Sequence, residues 1–281
     1  MERYTHYDYT KLTNEIEYLQ KLYPALEVGS IGKSELGREL YYIKLGNGKS
    51  RVFYNATHHG LEWITSAVLM KFAEDYMRAY YANALFYGVD VCKLFNNISI
   101  YLVPMVNPDG VDIALNQGLH WQANSNGVDL NHNYDALWEV GKAHEIENGV
   151  FGPGPTRYSG EFPESEAESR AVANFSRKMN FDLAIALHSQ GEVIYWTFNN
   201  LMPPKSFEIA KKLEKASGYA LDETEGIASY SGYKDWFMQE FNKPGYTIEV
   251  GLGENPLPIE QLSEICSRVF PALLVGAMEP F

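Results

Sequence analysis

Two histidines and two glutamates stand where strands are expected to end. The apolar run 51–56 leads straight into Thr57-His58-His59-Gly60-Leu61-Glu62-Trp63. A histidine and a carboxylate three residues apart, placed where a strand turns into a helix, can point at one ion, with Gly60 relieving the turn. On their own, His59 and Glu62 read more readily as a satisfied polar pair than as ligands. The run 181–187 ends the same way, in His188-Ser189-Gln190-Gly191-Glu192. A third ligand from a second strand end would complete the two-histidine, one-carboxylate set of a catalytic zinc site and leave one position open for water. Glu249 lies inside the otherwise apolar run 246–250. An acid there is costly to bury without a partner or a task; the alternative is a strand-edge carboxylate beside a lysine or arginine.

Rigid elements must converge these residues. Short apolar, β-branched runs at 40–45, 51–56, 98–103, 181–187, 193–198 and 246–250 predict strands, mostly buried on both faces. Leu12, Ile16, Leu19 and Leu22 form the stripe of an amphipathic helix. Further helices are predicted over 63–80, 166–179, 206–217 and from 259 onward, the second opening on a capping box of Ser165 and Glu168. Strands alternating with helices imply an α/β fold, one domain over 1–281, with a mixed, twisted sheet covered by helices on both faces. Ligands gather at the carboxyl ends of such strands, where the candidate residues fall.

The 281 residues carry 23 Lys and Arg against 36 Asp and Glu, a formal net charge of −13. That argues against nucleic acid as the main partner, since phosphate tracking needs a basic patch. With 46% of residues hydrophobic, the chain can bury a sizeable core and should be globular. No run approaches the roughly 18 apolar residues of a membrane span, so no membrane partner is expected. Cys92 and Cys266 are too few for a disulfide framework and too far apart for a CxxC site, and read as reduced thiols. The polar opening lacks the apolar core of a secretory signal, which suggests a cytoplasmic location; a secreted chain already trimmed of its signal would look the same.

Six ordered motifs over nearly the whole chain resemble the funnelin-type zinc metallocarboxypeptidases. Gly32-Lys-Ser-Glu-Leu-Gly37-Arg38 is similar to the family's G-x-S-x-x-G-R segment, His59-x-x-Glu62-Trp63 to its first zinc motif, and Asn107-Pro108-Asp109-Gly110 to its N-P-D-G turn. Gly127-Val-Asp-Leu-Asn-His-Asn133 resembles G-V-D-L-N-R-N with one change, His188-Ser189 the second zinc motif, and Thr247-Ile248-Glu249 the strand of the catalytic glutamate. The resemblance implies one Zn2+ held by His59, Glu62 and His188, with Glu249 as general base and later general acid. It also implies that Asp129 holds the first zinc histidine; an Asx turn is the plainer reading of that residue.

The departures concern the substrate. The family's Asn-Arg pair grips a terminal α-carboxylate, but here Asn131 is followed by His132, and an imidazole, mostly neutral at pH 7, replaces a permanent planar fork poorly. Gln122 stands where the family has an oxyanion-stabilising cation, and an amide does that work less well; with a shift of register the role would pass to His120 or to no side chain. A gap-free count from Glu249 puts the mobile tyrosine at Ile227, with Tyr230 the candidate nearby. It puts Lys234 at the floor of the specificity pocket, where a cation suits a leaving residue with a distal carboxylate; a solvated lysine at a helix start is the alternative. His6, His58, His120 and His144 read as structural or surface residues, His58 being the one placed to matter.

The N-H-N variant resembles the γ-D-glutamyl-(L)-meso-diaminopimelate peptidase branch. The resemblance implies hydrolysis of that amide bond in a cell-wall muropeptide, in recycling or sporulation. A carboxypeptidase or amidohydrolase on other peptides or N-acyl amino acids, and an inactive peptide-binding module, are the two alternatives.

Overall fold

The computed structural model describes residues 6–117, 120–224 and 229–280. Over these the order is α1 (Tyr9–Leu22), β1 (Glu27–Lys33), β2 (Glu39–Leu45), β3 (Ser50–Ala56), α2 (Ile64–Tyr81), β4 (Leu85–Phe86), β5 (Val89–Asp90), α3 (Val91–Asn97), β6 (Ile98–Val103), α4 (Pro108–Gln117) and α5 (Trp138–Glu147). Then follow α6 (Ala167–Met179), β7 (Leu183–His188), β8 (Val193–Tyr195), α7 (Ser206–Ser217), β9 (Ala220–Asp222), α8 (Tyr233–Phe241), β10 (Gly245–Glu249) and α9 (Leu262–Met278). Eight strands make one mixed sheet in the order β1-β2-β6-β3-β7-β10-β8-β9. Its centre, β6, β3, β7 and β10, is parallel, while β2 and β8 flank it antiparallel.

Strand periodicity divides the core in two. In β7, Leu183, Ile185 and Leu187 face the cluster that includes residues of α2, α7 and α9, whereas Ala184 and Ala186 face α6 and α8. The two alanines leave room for Trp236 and Phe237 of α8 on that side. Each fully buried Leu, Ile or Phe contributes about 1.5–3 kcal/mol, which holds the central strands rigidly in register. By the same alternation His188 and Glu249 point to the α8 side, and the register of β10 with β7 sets them directly opposite each other. Among the described residues no helix is long and apolar enough to cross a membrane.

Several expectations need correction. Helix α6 is capped by Glu166 without a side-chain cap bond, so there is no capping box. Ser165 Oγ donates to Glu166 Oε1 at 2.8 Å, and Glu168 is drawn instead to the Glu35 amide and the Asn124 side chain. The strand expected over 193–198 stops at Tyr195, with Phe198 only in an isolated bridge to Leu201. Leu22, in the last turn of α1, is 45% exposed, and Leu26 after the helix is buried. A 3-10 turn, Ile259–Gln261, precedes α9.

Candidate active site

The turn after β3 is built to present His59. Thr57 takes a left-handed φ of 59°, and its hydroxyl bonds those of Thr65 and Ser66, each at 2.7 Å. A Cβ on Gly60 would stand 2.3 Å from backbone atoms of Gly110, so this crossing admits only glycine. Asn107 ties the crossing together, donating to the carbonyls of His58 (2.9 Å), Gln122 (3.2 Å) and Ala123 (3.0 Å). Asp109 accepts from Arg38 at 2.5 Å and from the Leu36 amide at 2.9 Å. The N-P-D-G and G-x-S-x-x-G-R segments are thus a brace behind the turn.

His59, Glu62 and His188 converge from β7 and the turn after β3, offering ligand atoms within 4.8 Å of one another. His59 Nδ1 lies 2.8 Å from Glu62 Oε1, His188 Nδ1 3.1 Å from Glu62 Oε2, and the two Nδ1 atoms 3.3 Å apart. Ligand atoms at roughly 2.0–2.1 Å from a tetrahedral zinc stand about 3.3 Å from one another, so the donor set fits that ion in both chemistry and spacing. His59 Nε2 bonds Asp129 Oδ1 at 3.1 Å. Asp129 also accepts the Asn131 amide at 3.2 Å and the Arg157 amide at 2.9 Å. Burial alone would raise the Glu62 pKa, but His59 and His188 bring it down to about 2. Asp129 is likewise held low against burial by His59 and His132.

Glu249 is the opposite case. Burial and the nearby Glu62 charge raise its pKa well above the usual carboxylate range, with His59 opposing. His58, beside the ligand candidate His59, is buried. Its Nε2 bonds Tyr134 Oη at 2.8 Å, and its ring stacks on His188 at 5.5 Å. Burial, then His188 and His59, lower its pKa and keep it neutral.

A cavity of about 550 Å³ opens beside this cluster, lined by His59, Asn131, His132 and Lys234 among the residues singled out in the sequence, together with Glu249. Asn131 Oδ1 accepts the Tyr233 amide at 3.0 Å, tying it to the start of α8. Lys234 is buried, donates to the Thr197 carbonyl at 2.6 Å and pairs with Asp235; it is not a solvated helix-start lysine. Two expected substrate contacts lie elsewhere. The Gln122 side chain accepts from the Thr156 hydroxyl and does not line the cavity. Tyr230 stacks on His144 at 5.4 Å and lines a neighbouring polar depression. Ile227 lies outside the described residues. The cavity also takes in Tyr195, Asp222, Glu223 and Asp235, which the motifs do not mark, and Thr247, which stands in the motif of the catalytic-glutamate strand with no role of its own. The alternation of β10 puts Thr247, two residues before Glu249, on the same face; Tyr195, Asp222 and Glu223 depend on the pairing of β8 and β9, and Asp235 on the placement of α8.

The family profile of zinc carboxypeptidases matches residues 12–272. The chain belongs to the zinc carboxypeptidase family. It is accordingly a metallopeptidase, with the carboxypeptidase-like mixed sheet expected from the sequence. It is 38% identical to gamma-D-glutamyl-L-diamino acid endopeptidase 1 of Lysinibacillus sphaericus, over 96% of this chain and 72% of that protein. To bovine carboxypeptidase B it is 25% identical, over 87% of this chain and 63% of that protein. The structure of bovine thrombin-activatable fibrinolysis inhibitor in complex with tick carboxypeptidase inhibitor superposes with a TM-score of 0.81 at 23% identity, covering 97% of this chain and 96% of that one. This zinc carboxypeptidase fold therefore carries the three ligand candidates and Glu249 at the carboxyl ends of its central strands.

Proposed function

We propose that this peptidase hydrolyses the amide bond between γ-D-glutamate and meso-diaminopimelate in bacterial peptidoglycan peptides. The observation that carries the reading is the wall of the cavity, where Asn131 and His132 stand in place of an asparagine–arginine clamp and Lys234 is buried nearby. Without a permanent guanidinium fork, the leaving residue need not present a free α-carboxylate, so it can be amidated or extended. The name of the 38% identical relative supports the same bond.

His59, Glu62 and His188 would hold the zinc. When bound, the ion supplies Lewis acidity towards the scissile carbonyl and lowers the pKa of water from 15.7 to about 7. Asp129, bonded to His59 Nε2, fixes the ring and leaves Nδ1 as the ligand atom. Glu249 takes a proton from the attacking water and delivers it to the leaving nitrogen as the C–N bond breaks. Its raised pKa brings it nearer the operating pH, where a carboxylate serves both steps best.

The test is product analysis by chromatography after incubating zinc-loaded protein with L-Ala-γ-D-Glu-meso-diaminopimelate, beside Glu249→Ala and a plain C-terminal peptide. Release of free diaminopimelate by the unaltered protein alone is expected. Trimming of the plain peptide with the muropeptide left intact would overturn the reading and favour an ordinary carboxypeptidase.

A further inference from the structure

The charges around the cavity do not balance. Among the described residues, four carboxylates, Asp222, Glu223, Asp235 and Glu249, face it with a single ammonium, Lys234. Lys234 is already paired with Asp235, so the cation that the sequence places at the pocket floor is largely neutralised by its neighbour. Asp222 and Glu223 are exposed at the mouth, and among the described residues neither forms an ion pair. Among the described residues the Asp222 carboxylate accepts the Glu223 amide alone, at 2.8 Å through Oδ1.

The sheet register says where that free charge lies relative to the chemistry. Thr247, Tyr195 and Asp222 form one cross-strand row over β10, β8 and β9, and Glu249 is two residues along the same face of β10. Two strand spacings, about 10 Å, separate β10 from β9. A cation that meets Asp222 while the scissile nitrogen sits at Glu249 must therefore be carried at the far end of a long side chain of the leaving residue.

The geometry points to Asp222, backed by Glu223, as the residue that selects a distal ammonium on the leaving amino acid, making the enzyme specific for diamino acids. This rests on the proposed bond and names what reads its leaving side. The distal centre of meso-diaminopimelate carries both charges: its ammonium meets Asp222, and its carboxylate meets the Lys234 end of the Lys234–Asp235 pair. Lysine offers the ammonium alone, and norleucine neither charge.

The experiment compares γ-D-glutamyl amides of meso-diaminopimelate, L-lysine and L-norleucine as substrates of the full zinc-loaded chain. The unaltered protein should prefer lysine to norleucine by at least about tenfold in kcat/KM, and Asp222→Asn should erase most of that preference. A tenfold ratio corresponds to about 1.4 kcal/mol, which one exposed ion pair at up to about 1 kcal/mol and a second, weaker one supply together, so Asp222→Asn/Glu223→Gln should lower it further. Raising the salt should shrink the ratio for the unaltered protein. Glu208→Gln, an equal charge change on exposed α7 across the sheet, should leave the ratio as it was. An Asp222→Asn ratio equal to that of the unaltered protein, or a lysine preference absent from the start, would overturn the inference. If all γ-D-glutamyl amides are refused, the proposed bond is wrong, and N-acyl dipeptides ending in lysine or norleucine then carry the same comparison for Asp222.

Discussion

Replacing Lys234 by methionine keeps most of the side-chain volume and removes one charge from a buried pair. Asp235 is then left with the Gly232 amide as its chief partner, at 2% exposure, and the Thr197 carbonyl loses its donor. Stranding one member of a buried pair costs about 3–5 kcal/mol. Part of this is relieved when Asp235 takes up a proton. Burial raises its pKa above the ordinary 3.8, and Lys234 is the main influence against that rise. With Lys234 gone the folded-state pKa rises further above the unfolded one. An acid shifted this way binds more protons folded than unfolded, so the penalty is absent below the unfolded pKa and grows as pH rises towards the folded one. We expect Lys234→Met to lose about 3 kcal/mol at pH 8, a fall in Tm of roughly 6–10 °C, and distinctly less at pH 5. Asp235→Asn added to it should restore at least half of the loss. Thermal unfolding of the four members of this cycle at three pH values measures both effects. Additive losses in the two single variants, or a Lys234→Met deficit that ignores pH, would show that the two charges do not depend on one another.

Three further outcomes are expected. Glu249→Gln should lower kcat by about 10² to 10⁴ while zinc content, measured by elemental analysis, stays at one ion per chain. Burial raises the Glu168 pKa from 4.5 to about 7 against the Glu35 amide and Asn124, so its stability penalty sets in above pH 4.5 and is complete above 7. Glu168→Gln should then gain up to about 2 kcal/mol in denaturant unfolding at pH 8 and nothing at pH 4.5; a gain that does not vary with pH would contradict this. His132→Arg should raise kcat/KM on plain C-terminal peptides at least about tenfold, the worth of a charge-assisted hydrogen bond, and an unchanged value would mean that position 132 does not face the α-carboxylate.

The central strands were legible because burial on both faces forces continuous apolar runs, and the cluster of His59, Glu62 and His188 because His59 and His188 stand at the ends of those runs, with Glu62 one turn on. Edge strand β1, with Gly29, Ser30 and Gly32 and a register shift at its middle, has no such run. Helix α8 buries Tyr233 through Met238 consecutively, so it shows no 3.6-residue stripe. The apparent capping box failed because Glu168 has better partners 44 and 133 residues away. Lys234 lines the cavity, but its pairing with the adjacent Asp235 is not readable from the sequence, since neighbours in a helix do not normally face each other. For Gln122 the reason is the opposite one: its partner, Thr156, comes from a distant loop.

The register that sets Glu249 opposite His188 also governs how this sequence can change in length. In a strand the side chain alternates faces with every residue, so one residue inserted or deleted within β7 would turn His188 away from His59 and Glu62, and one within β10 would turn Glu249 away from the cavity, while leaving the sheet able to form. The loops that follow these strands carry no such phase. Length variation should therefore collect beyond residues 189 and 250 and be purged within the strands, even where the inserted residue is apolar and β-branched and suits the core.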